Sequence, residues 1–199
     1  MDHHLFISVV KYSKIDLLMT ELESIACEVL KSAGIKKGQV VLDFGCGRGT
    51  YTIPAARIVG REGRVFALDK SSCVLDDLMK EVNLAGLGNI ERMDTSGDIR
   101  FNLADGSIDV VLIFDVLNIY YFPNKEGRLE VLKESKRVLR SDGLLLVYPK
   151  HIESQAESEV ESIGFRLESR YSGTLIHLER DLENGEVLTF RKVLNHSCP

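Results

Sequence analysis

Residues 40–44, 64–68, 109–114 and 144–148 are short runs dominated by Val, Leu, Ile and Phe, and the longer segments between them carry apolar residues at helical spacing. This alternation narrows the fold more than any other feature. A run of this length suits a strand rather than a buried helix, and a strand apolar at nearly every position is covered on both faces. Such strands, separated by amphipathic helices, make a parallel sheet with helices on either side.

The helices follow from spacing and punctuation. Leu17, Leu18, Leu22, Ile25, Ala26, Val29 and Leu30 lie on one helical face over residues 16–33, and Gly34 is the stop. Further helices are predicted over residues 50–59, with Pro54 in the first turns, from Ser71 or Ser72 to about residue 85, over 125–139, and over 153–163 before Gly164. Residues 89–93 form a short additional strand. Arg140-Ser141-Asp142-Gly143 reads as a turn before the run at 144–148. The tail differs in character. Residues 165–172 and 187–193 alternate apolar with polar, Asn184-Gly185 is a strong turn signal, and residues 174–178 suit an extra hairpin strand whose pairing the pattern leaves open.

The chain has 199 residues, enough for one domain with a buried core, and a formal net charge of −5 that gives no global basic footprint for nucleic acid. No apolar run reaches the length that spans a bilayer, and the first ten residues lack the pattern of a secretory leader, so a cytoplasmic location is expected. The four cysteines, Cys27, Cys46, Cys73 and Cys198, show neither metal-ligand spacing nor a disulfide framework. Free thiols and no metal site are the expectation. His3 and His4 read as solvated.

Chemistry concentrates at Asp43-Phe44-Gly45-Cys46-Gly47-Arg48-Gly49, between a strand and a helix. Glycines here permit a tight turn and let a ligand approach the main chain, while free N–H groups at the helix start favour electron-rich ligand atoms. Asp69 closes the next apolar run, where a carboxylate can accept hydrogen bonds from both hydroxyls of a ribose. A dinucleotide and S-adenosylmethionine both contain such a ribose. The dinucleotide fingerprint G-x-G-x-x-G is not met, since Thr50 stands where its third glycine would fall. Asp43 would also bring negative charge towards a pyrophosphate. The same acid suits a methyl donor, either facing its ammonium group or ordering the loop's N–H groups.

Residues 40–49 resemble motif I of class I S-adenosylmethionine-dependent methyltransferases, and Phe66-Ala67-Leu68-Asp69 resembles their second motif. Residues 105–111 leading to Asp115-Val116-Leu117, and residues 137–143 before the next strand, resemble the ubiquinone/menaquinone-biosynthesis-like branch. The resemblance covers about residues 20–165. It implies an α/β, Rossmann-like, doubly wound sheet of seven strands in the order 3-2-1-4-5-7-6 with strand 7 antiparallel. With the N-terminal helix and the alternating tail added, the chain reads as one methyltransferase domain over residues 1–199: a helical cover or lid at 1–34, a cofactor-binding core at 35–164 and antiparallel strands at 165–199. Carried over position by position, Gly45, Cys46 and Gly47 contact the methionine part of the cofactor, with Asp43 beside them. Asp69 holds the ribose hydroxyls, Lys70 and Ser71 lie beside the adenine, and Phe114 and Asp115 lie beneath the cofactor. The family's acidic adenine partner after strand 3 has no direct counterpart: Thr95 and Ser96 stand there, flanked by Asp94 and Asp98.

For the acceptor, loops after the fourth and fifth apolar strands are the natural source. Asn118 stands where relatives often carry histidine. His151 is the imidazole best placed to remove a proton, and Tyr120 and Tyr121 are placed either to orient substrate or to flank the sulfonium by cation–π contact. The expected partner is a small-molecule methyl acceptor, with the protein a monomer or homodimer. Two rivals remain: a non-catalytic S-adenosylmethionine-binding sensor or partner protein, and a nicotinamide-dependent oxidoreductase, which the glycine spacing and Asp43 disfavour.

Overall fold

The computed structural model describes residues 14–97, 99–178 and 180–193, with side chains from residue 20 onward. His3, His4, Phe6 and Tyr12 of the expected N-terminal cover, Asp98 and Cys198 lie outside the described residues. The elements run α1 (Lys14–Ser32), β1 (Val40–Phe44), α2 (Thr52–Val59), β2 (Arg64–Asp69), α3 (Ser72–Leu84), β3 (Ile90–Asp94) and β4 (Ile108–Phe114). There follow α4 (Lys125–Val138), β5 (Leu139–Tyr148), α5 (Glu153–Ser162), β6 (Phe165–His177) and β7 (Asp181–Lys192).

The strands form one seven-stranded sheet in the order β3-β2-β1-β4-β5-β7-β6. Strands β1 to β5 pair in parallel and β7 is antiparallel to both neighbours, as expected. Alternate residues of the parallel strands feed two separate cores. Val41, Val65, Val110, Leu112 and Leu146 pack under α1, α2 and α3 through Leu22, Val29, Ala55, Leu75 and Leu78. Leu42, Phe44, Val111, Ile113 and Leu145 pack under α4 and α5 through Val131, Leu132, Ala156 and Val160. The runs are apolar throughout because both faces are covered.

Local chemistry explains most boundaries. Ser71, rather than Ser72, caps α3 by accepting a hydrogen bond from Val74 N, and Asn124 caps α4 by accepting from Gly127 N. Residues 140–143 do turn, but as a bulge inside β5. Ile108 pairs with Leu139 and Val110 with Leu144, and Asp142 takes a φ of 61°.

The tail corrects one expectation. Asn184-Gly185 does not turn the chain. It lies within β7, opposite Thr174 and Gly173, and the hairpin reverses between His177 and Asp181. Glycine is needed at 185 for space: a Cβ there would lie 2.8 Å from Leu175 Cδ1 and 3.2 Å from Tyr148 Cε2. The open pairing of residues 172–186 is thereby closed, with residues 174–177 forming the distal end of β6.

Candidate active site

Because β1, β2, β4 and β5 are parallel, their carboxyl ends share one edge of the sheet. The connections leave β1 and β4 towards opposite faces, which opens a crevice between them. A cavity of about 400 Å³ occupies it, within the range of small-molecule and cofactor sites.

The glycine loop forms one wall. Gly45 N and Cys46 N both donate to Leu68 O, at 2.8 and 3.1 Å, clamping the end of β1 to β2. Gly45, Gly47 and Gly49 have φ values of 77°, 52° and 91°, the left-handed region that glycine tolerates. Their surroundings differ. A Cβ at Gly45 would lie 2.4 Å from Val116 Cγ2 and one at Gly49 2.3 Å from Leu78 Cδ1, whereas one at Gly47 would meet nothing within 4 Å. Gly45 and Gly49 therefore serve close packing, and Gly47 leaves main chain open along the cavity wall. That open main chain beside a carboxylate is a cradle of the kind an adenosyl amino acid needs.

Asp69 is fixed from both sides. Gly47 N donates to its Oδ2 at 3.0 Å and Ser71 N to its Oδ1 at 2.9 Å. Each oxygen keeps a further lone pair for an incoming hydroxyl. Asp69, not Asp43, is thus the carboxylate that receives a loop N–H. Asp43 lies deeper, 3% exposed, and accepts a hydrogen bond from Thr52 Oγ1 at 2.6 Å. Burial pushes its carboxyl up to about 6, against the hydrogen bond from Thr52 and reinforced by the charge of Asp69. Cys46 is also buried; its desolvation, with Asp43 and Asp69 nearby, drives the thiol far above its ordinary value and keeps it from acting as a nucleophile.

Of the remaining expected residues, Lys70, Thr95, Phe114 and Asp115 line the cavity with the loop, whereas Ser71 and Ser96 do not. Ser71 is occupied in capping α3. Thr95 Oγ1 accepts from Gly97 N at 3.2 Å. Lys70 Nζ sits 5.2 Å from the centre of the Tyr121 ring, so β2 and the loop after β4 meet across the cavity mouth.

His151 and Tyr120 are brought together, with ring centres 5.1 Å apart, but outside the cavity lining, and Tyr120 is 72% exposed. The loop that carries Tyr120 is tied by Asn118. Its side-chain amide donates to Asp115 O, and its Oδ1 accepts from Tyr120 N and Tyr121 N at 2.9 and 3.1 Å. Asn118 thus holds the loop's shape.

Apart from Phe114, the far end of the cavity was not foreseen. Tyr51, Phe114 and Tyr148 pack edge to face, at 4.7 and 6.4 Å between ring centres. Ile176 and Leu178 from the hairpin complete this wall. The Tyr51 hydroxyl donates to Ile176 O at 3.3 Å and accepts from Ile176 N at 3.0 Å, fastening the hairpin over the site. Beside it, Asp115 takes a φ of 57° and its Oδ2 lies 2.7 Å from His177 Nδ1, while Tyr148 and Lys150 both donate to Glu183. Tyr51 and Tyr148 had a readable signal, since Tyr51 follows the glycine loop and Tyr148 is the last residue of β5. His177 and Glu183 had none until the hairpin's pairing was known. Among the described residues no group of three His, Cys, Asp or Glu side chains is arranged to hold a metal ion.

Comparison with known proteins agrees with this architecture. The family model described as "Methyltransferase domain" matches residues 41–143. A probable cobalt-precorrin-6B C(15)-methyltransferase (decarboxylating) of Saccharolobus solfataricus is 31% identical over 150 residues, covering 72% of this chain and 69% of that protein. A demethylmenaquinone methyltransferase of Geobacillus stearothermophilus is 31% identical over 118 residues, 59% of this chain, and the match spans only 47% of that relative's length. The crystal structure of a SAM-dependent methyltransferase from Aquifex aeolicus shares the fold, with a TM-score of 0.68 at 21% identity, covering 88% of this chain and 98% of that one. The chain belongs to this methyltransferase family, within the class I, S-adenosylmethionine-dependent group.

Proposed function

We propose that this chain transfers the methyl group of S-adenosylmethionine to a small, largely apolar acceptor by in-line displacement. The observation that carries the reading is the pairing of a Gly47 main chain open to the cavity with a doubly anchored Asp69 carboxylate. In this reading Gly45, Cys46 and Gly47 hold the methionine part, Asp43 neutralises its ammonium group and Asp69 takes the ribose hydroxyls. Lys70 and Thr95 flank the adenine, Phe114 and Asp115 lie beneath, and Ser71, which caps α3, and Ser96 stand outside the cavity lining. The cofactor brings a methyl group already activated by positive sulfur. The protein's part is to align the acceptor and exclude water, which the wall of Tyr51, Phe114, Tyr148, Ile176 and Leu178 suits. His151 and Tyr120 act at the rim on the entering acceptor.

The apolar end wall favours a flat conjugated acceptor, and the relatives named for demethylmenaquinone and cobalt-precorrin-6B point the same way. The reading takes residues 1–199 as one cytoplasmic domain, a monomer or homodimer without a nucleic-acid partner. The net charge of −5 speaks against a nucleic-acid partner, and no described helix is long and apolar enough to cross a membrane. Calorimetric titration with S-adenosylmethionine and with its demethylated product tests the cofactor assignment. Formation of the demethylated product in the presence of reduced quinones and phenols tests the transfer. Absence of binding by either cofactor form sinks the reading.

A further inference from the structure

The hairpin brings His177 and Glu183, two groups to which cofactor binding gives no role, up to Asp115 at the apolar end of the cavity. His177, on the last position of β6, sets Nδ1 2.7 Å from Asp115 Oδ2, off the axis of a ring hydrogen bond, and 4.0 Å from Glu183 Oε1. Tyr148 and Lys150 both spend a proton on Glu183, so that carboxylate is committed. Asp115 differs. It lines the cavity and its backbone is held at a φ of 57° by a hydrogen bond from its N–H to Tyr148 O, at 3.2 Å, and by Asn118 on its carbonyl. A left-handed aspartate costs conformational energy that the surrounding bonds must offset. What the conformation achieves is a carboxylate standing on the cavity wall with a histidine at its back.

We propose that Asp115 is the carboxylate that accepts the acceptor's proton-bearing group, and that His177 is the positioning residue that holds Asp115 oriented and ionised. The inference rests on the methyl-transfer reading and names its acceptor class: a flat apolar body carrying a hydroxyl or N–H. In the transfer, the acceptor's O–H or N–H bond breaks and its proton passes to the Asp115 carboxylate. The freed electron pair forms the bond to the methyl carbon, and the pair of the methyl–sulfur bond stays on sulfur as a neutral thioether. No further reactant is needed. Burial lifts the Asp115 carboxyl above its ordinary value, while His177 from β6, and His151 and Lys150 from the loop after β5, pull it back down. Tyr148 faces the same group from β5, and Glu183 on β7 stands 4.0 Å from the His177 ring nitrogen rather than against Asp115.

The test uses the full chain saturated with S-adenosylhomocysteine and two probes, 4-methylphenol and its methyl ether, which differ by the one donor proton. The wild-type protein binds the phenol at least about tenfold more tightly than the ether at pH 7.5, the gain of a hydrogen bond to a charged acceptor. Asp115→Asn brings the two probes within about threefold. His177→Gln keeps its affinity for S-adenosylhomocysteine, but its preference for the phenol disappears at a higher pH on acidification, because an Asp115 without its imidazole takes up a proton sooner. Equal binding of the two probes by the wild type, or no binding of either, overturns the proposal. So does an unaltered preference in Asp115→Asn, and an unmoved pH midpoint in His177→Gln removes His177 from it. Failure to bind S-adenosylhomocysteine at all is the separate result that brings down the methyl-transfer reading itself.

Discussion

Replacing Asp43 by asparagine removes a negative charge that the fold keeps almost wholly out of water. Its carboxyl rises from an ordinary value of 3.8 to about 6, chiefly through burial. At about 1.4 kcal/mol for each tenfold change in the proton equilibrium, this sets about 3 kcal/mol against the charged form. Because the folded-state value lies above the unfolded one, stability associated with this group is fully present below about pH 4 and is lost as pH rises through 6. Asparagine has nearly the same shape, and its Oδ1 can still accept the Thr52 hydroxyl that now reaches Asp43 Oδ2 at 2.6 Å. Asp43→Asn is therefore more stable than the wild type by about 3 kcal/mol at pH 7.5 and by about half of that at pH 5. Urea denaturation of both proteins at the two pH values measures the difference. The same variant binds S-adenosylmethionine more weakly, since the ammonium group loses its counter-charge. An asparagine variant less stable at pH 7.5, or a difference that does not shrink on acidification, refutes the reasoning. The pattern sought is that of a site residue kept at the expense of stability.

Other outcomes follow from single contacts. Asp69→Ala leaves the Gly47 and Ser71 N–H groups without their acceptor and lowers cofactor affinity by about 2 kcal/mol or more, read by calorimetry. Arg128→Met breaks a buried pair in which Arg128 Nε and Nη2 donate to Glu159 at 2.8 and 2.7 Å, and it also frees the Phe122 carbonyl. It costs about 3–5 kcal/mol in a melt of the variant, and Glu159→Leu added to it restores much of the loss, because the penalty is a stranded charge. His151→Ala, at the rim, weakens turnover while leaving cofactor affinity at the wild-type level; unchanged turnover of an accepted quinol or phenol removes His151 from the mechanism.

The apolar runs and the glycine loop were legible because their physics is local. A strand buried on both faces must be apolar at nearly every residue, and residues 110–114 show it in the sequence as plainly as in the sheet. The left-handed turns at Gly45, Gly47 and Gly49 likewise demand glycine wherever the chain lies. Asp69 was readable from its place at the end of a strand. Asn184-Gly185 misled for the opposite reason: glycine also answers a demand for space, and the crowding by Leu175 and Tyr148 exists only after β5, β6 and β7 have come together.

What the sequence by itself determined is therefore the parallel core, the glycine turn on the cavity wall and the acid beside it. The tertiary structure alone decided the other half of the cavity. It turned Asp115 towards His177, laid Tyr148 against Glu183 and fastened Ile176 to Tyr51, joining residues far apart in the chain. Such partners leave no periodicity or local spacing to read, because the strand register that unites them is set by the packing of the whole sheet.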